Sequence, residues 1–68
     1  MPGWEYADEA FRRVLDMLRE LLSDLAGVRD SIDANEPLHH EIDARLQELD
    51  RARRELEALY DDATQELL

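Results

Sequence analysis

The sequence predicts an all-α fold: an antiparallel two-helix hairpin, coiled-coil-like, that pairs into a dimeric four-helix bundle. Three observations carry this expectation. Apolar residues recur at alternating spacings of three and four through both halves of the chain, the rhythm of helices that bury one seam. A single interior proline, Pro37, interrupts that rhythm near the middle. Apolar positions on either side of the interruption also match one another when the chain is folded about Asn35.

The first helix is expected over about residues 4–33, where Trp4, Ala7, Phe11, Val14, Leu18, Leu21, Leu25, Val28 and Ile32 follow the pattern. In heptad terms Phe11, Leu18, Leu25 and Ile32 take position a, and Val14, Leu21 and Val28 take position d. Gly27 falls on the outer face, at a cost of about 1 kcal/mol relative to alanine. A fray or kink is expected there if anywhere.

The turn is expected over about residues 33–37. Proline disfavours helical geometry at the residue before it, here Glu36, and is comfortable in the first turn of a new helix. Asp33 and Asn35 are both suitable N-caps, and Asp33 with Glu36 has the spacing of a capping box. So short a connection makes the two helices antiparallel neighbours.

The second helix is expected over about residues 37–67. Leu38, Ile42, Leu49, Ala52, Leu56, Leu59 and Ala63 repeat the heptad, with Arg45 and Glu66 as polar exceptions at position d. Leu46 and Leu67, one step later, can supply the missing apolar contact. Phe11 with Leu59, Val14 with Leu56, Leu21 with Leu49, Val28 with Ile42 and Ile32 with Leu38 lie symmetrically about Asn35. Each such layer sets an a position against a d position, as an antiparallel coiled coil requires. The expected hairpin core is therefore Phe11, Val14, Leu18, Leu21, Leu25, Val28, Ile32, Leu38, Ile42, Leu49, Leu56 and Leu59.

A two-helix hairpin cannot enclose a core, and 68 residues make one small domain, 1–68, that buries a modest fraction of its surface. With no cysteine there is no disulfide to compensate. The flanking positions suggest what does. Position e carries Leu15, Leu22, Leu46, Tyr60 and Leu67, an apolar association edge; position g of the second helix carries Glu41, Glu48, Glu55 and Asp62. Exposed apolar stripes of this size mark association. A homodimer is expected across that edge, and a helical segment of another protein could fill the same groove.

The net charge is −10, from 18 acidic and 8 basic residues. Such a balance repels phosphate backbones, so no nucleic-acid partner is expected. The acidic column could instead mimic a phosphate backbone, an alternative that would make the chain an inhibitor of nucleic-acid-binding proteins. In layout, two long heptad helices joined by the short acidic turn Asp33-Ala34-Asn35-Glu36 resemble the Rop-type RNA-binding hairpin. RNA binding is not part of that expectation here, because Arg12, Arg13, Arg19 and Arg29 are outnumbered on the first helix by acids. No apolar run approaches a membrane span, and "MPGWEYADEAF" lacks the pattern of a signal peptide. The expected location is the cytoplasm, with no membrane partner.

His39 and His40 are the residues most suggestive of chemistry. Adjacent side chains on a helix diverge by about 100° and cannot converge on one ion. Glu36 with His40, or His39 with Asp43, has usable spacing but supplies only two ligands. Ser23, Ser31 and Thr64 stand outside any nucleophile motif. No catalytic residue, metal ligand or cofactor site is therefore expected, and both histidines are expected to be exposed on the first turn of the second helix. The functional expectation is a non-catalytic helical interaction module, a small regulator or accessory subunit. A free-standing scaffold, natural or engineered, is the alternative.

Overall fold

The computed structural model describes residues 4–67, and for Leu67 its backbone only. It is an all-α helical hairpin: α1 spans Trp4–Asp30 and α2 spans Pro37–Leu67. The Cα trace measures 52 × 16 × 11 Å, so the molecule is a rod one helix thick. No helix among the described residues is long and apolar enough to cross a membrane.

α1 ends three residues earlier than expected. The Ser31 N–H donates to the carbonyls of Gly27 and Val28 at 3.1 and 3.2 Å, and the Ile32 N–H to that of Arg29 at 3.1 Å. The Ser31 hydroxyl adds a 2.7 Å bond to the Val28 carbonyl. These contacts occupy carbonyls that a helix end otherwise leaves unpaired. Arg29 in the last turn and Glu5 in the first both oppose the helix dipole favourably. Gly27 causes no break; α1 runs through it.

The turn occupies residues 31–36, and neither suggested N-cap is the cap. Asp33 accepts the Asn35 N–H on its carboxylate at 2.9 Å and the Glu36 N–H on its carbonyl at 2.9 Å. This is an Asx-type turn, in which the aspartate builds the corner rather than the helix end. Pro37 is the first helical residue, as its fixed φ favours. The Glu36 carbonyl accepts the His39 N–H at 3.0 Å to start α2.

The helices lie antiparallel about a centre close to the expected one. Phe11 meets Tyr60 edge-on with ring centroids 5.2 Å apart, and His39 meets the Ile32 carbonyl at 3.0 Å. Both pairs are symmetric about the Asn35–Glu36 bond. The faces that meet, however, are rotated from those expected. Leu15 and Leu46, placed by the sequence on an association edge, are the two buried side chains among the described residues, at 4% and 9% exposure. Leu22 and Tyr60 from the same edge are half-buried; the side chain of Leu67 lies outside the described residues. Of the expected core, Phe11, Leu18, Leu25, Ile32, Ile42 and Leu56 are half-buried. Val14, Leu21, Val28, Leu38, Leu49 and Leu59 are exposed.

Arg45 accounts for the rotation. A strict a/d contact would press position d of α2, including Arg45 and Glu66, against α1. Desolvating a guanidinium without a buried partner is costly. Turning α2 toward position e instead brings Leu46 and Tyr60 inward and leaves the Arg45 side chain 74% exposed, beside Glu48 at 3.1 Å. On α1 the same turn exchanges Val14, Leu21 and Val28 for Leu15 and Leu22.

Candidate interaction surface

The rotation gives the rod two unlike faces. On one, charged side chains bracket the helix–helix seam. Arg19 donates two hydrogen bonds to Glu57 at 2.9 and 2.6 Å. Arg53, with its side chain 20% exposed, reaches Asp50 at 2.8 Å and Glu57 at 2.9 Å. Arg54 reaches Asp50 at 3.2 Å. Arg53 occupies position e among apolar neighbours, where its aliphatic stem can pack while the head stays paired. The guanidiniums hold the carboxylates in their charged form. Glu57 is shifted below its ordinary range by hydrogen bonds from Arg19 and, less strongly, from Arg53. Asp50 is lowered chiefly by its hydrogen bond from Arg53.

Near the turn, Arg29 crosses to Asp43 at 2.7 Å while also holding Asp30 at 3.0 Å. The Arg29 hydrogen bond lowers the Asp43 pKa, and a 2.9 Å bond from Gln47 adds to it. At the far end the Tyr60 hydroxyl donates to Asp8, which raises the phenol pKa because ionisation would set two negative oxygens together. A shallow cleft of about 280 Å³ lies here, lined by Arg12, Leu15, Asp16, Arg19, Glu57, Tyr60 and Asp61. Its arginines already have carboxylate partners: Arg12 pairs with Asp8 at 2.9 Å, and Arg19 with Glu57. This cleft therefore holds no unpaired arginine to select an anion.

The opposite face is mainly apolar, interrupted on α2 by the exposed Arg45–Glu48 pair. Val14 is 47% exposed, Leu21 60% and Val28 48% on α1; Leu49 is 46% and Leu59 57% exposed on α2. Leu38 extends the row toward the turn, and Met17 flanks it on α1. Between the helices on this side runs a groove of about 260 Å³ lined solely by leucines: Leu18, Leu21, Leu22, Leu25 and Leu49. The apolar surface forecast at position e is thus present at positions d and a, through the same total arc of apolar columns. α1 carries three such columns, a, d and e, and one neighbouring helix covers only two of them.

The histidines are part of the corner. The His39 ring lies 5.6 Å from that of His40 at 77°. Because a carbonyl only accepts, the His39 Nδ1–H donates to Ile32 and ties the start of α2 to the end of the turn. His39 is consequently half-buried rather than exposed as expected, while His40 faces solvent. The spacing could have signalled this: His39 stands at position e, on the side that α2 turns inward. Among the described residues no three histidine, aspartate or glutamate side chains converge as a metal site requires.

No protein-family model, curated protein or solved structure matches the chain.

Proposed function

We propose that the protein is a non-catalytic helical interaction module that self-associates through the Val14–Leu21–Val28 and Leu38–Leu49–Leu59 face, acting as a small regulator or accessory subunit. The observation that carries this reading is the area left in water. A compact monomer of 8.0 kDa exposes roughly 4,500 Å², whereas this chain exposes 5382 Å². The excess of roughly 900 Å² is close to what each partner buries in a standard stable interface, about 800 Å². A second copy supplies a matching surface: a two-fold axis sets the same leucine row against itself and converts two one-layer rods into a four-helix bundle.

Energetics favour the same conclusion. Two buried leucines among the described residues are a small core for a chain with no disulfide, and such chains gain stability by association. Folding and pairing are then linked by mass action, so the melting temperature rises with protein concentration. Thermal melts over a hundredfold concentration range test this. The melting temperature should climb for the native chain, and the double variant Leu21→Ser/Leu49→Ser should melt lower. A melting temperature independent of concentration, in a chain already helical, would refute the reading.

A further inference from the structure

Two bundles can be built from this hairpin by a two-fold axis that buries the leucine row. In one, the axis runs along the helices: both turns lie at the same end, and α1 of each copy packs on α2 of the other. In the other, the axis runs across the helices: the turns lie at opposite ends, with α1 on α1 and α2 on α2. From the distribution of charge beside the row, we infer that the dimer adopts the first arrangement, with both turns at one end. The inference rests on self-association through that row and concerns its geometry.

The column beside the row on α2, position g, points away from α1. It reads Glu41, Glu48, Glu55 and Asp62, all exposed, one carboxylate roughly every 10 Å along the helix. The equivalent column of α1 reads Ala10, Met17 and Asp24, with a single carboxylate. In a bundle the outer flanks of facing helices run side by side. Turns at opposite ends would therefore set the four acids of α2 against the same four of its copy. With turns at one end, each acidic column meets the nearly neutral flank of α1. Screening confines strong repulsion to about 8 Å, the scale of neighbouring columns, so this difference is not averaged away over the molecule. Arg45, which pairs with Glu48, offsets one acid of each column and leaves the asymmetry standing.

The apolar residues fit the same arrangement. Within one chain Leu21 and Leu49 line a common groove, so they stand at about the same height along the rod. An axis along the helices preserves height. Each Leu21 then faces Leu49 of the copy across the interface, and the leucine row closes in register without sliding.

The chain has no cysteine, so a single nitroxide can be placed on an Ala34→Cys variant, in the exposed turn and away from the leucine row. Pulsed dipolar spectroscopy then measures the distance between the two turns of the dimer, with the mass checked on the same sample. Neighbouring helices are about 10 Å apart, so turns at one end give a distance within about 30 Å. Turns at opposite ends give a distance set by the 52 Å length of the rod. That long distance in a two-chain species would overturn the arrangement and leave self-association intact. A single-chain mass with no dipolar coupling would overturn both.

Discussion

At the residue scale, the features that matter are single positions whose surroundings set their worth. Gly27 is one. A Cβ built there meets nothing within 4 Å, and the residue sits inside α1 on the solvent side. Gly27→Ala should therefore stabilise the fold by about 0.5–1 kcal/mol, through helix propensity and a less flexible unfolded chain; chemical denaturation reads the gain directly. Glu57 is another. Its folded-state pKa lies below its unfolded value because Arg19 and Arg53 hold the carboxylate. That stabilisation is present above the ordinary glutamate range, about 4.3, and is lost as pH falls through the lowered folded value. The melting temperature of the native chain should exceed that of Glu57→Gln at neutral pH, and the gap should close on acidification. A gap that persists at low pH would mean that the residue acts by packing rather than charge.

At the element scale, the existence, order and antiparallel pairing of the helices were legible from periodicity, because a three–four repeat has no strand alternative. The rotation of each helix was harder to read. α1 carries apolar residues at positions a, d and e, so its own pattern does not say which pair faces α2 first. The deciding residue was visible on α2: Arg45 stands at position d with Leu46 beside it. Applying that local exception to the whole helix, together with Tyr60 at position e, would have turned the contact to the face that Leu15 and Leu46 now occupy. The corner was misread for a related reason. Asp33 suits both an N-cap and an Asx turn, and only the backbone path of Ser31 and Ile32 chooses between them. Adjacent substitutions test the rotation. Leu46→Ala should cost about 2 kcal/mol or more, as truncation of a buried leucine does. Arg45→Ala should stay within about 0.5 kcal/mol, as at an exposed position. Equal effects would place Leu46 off the helix–helix contact.

At the scale of the whole molecule, one layer of two helices has two faces to satisfy and only one seam. The charged face satisfies itself: Arg19, Arg53 and Arg54 find carboxylates on their own chain. The leucine face has no such internal solution, and its exposure is the physical basis for proposing a second copy. Sedimentation equilibrium at micromolar concentration measures that step most directly. Self-association through the leucine row predicts a species of twice the 8.0 kDa chain mass, reduced toward a single chain by Leu21→Glu. A fully helical species of one chain mass throughout the concentration range would contradict it.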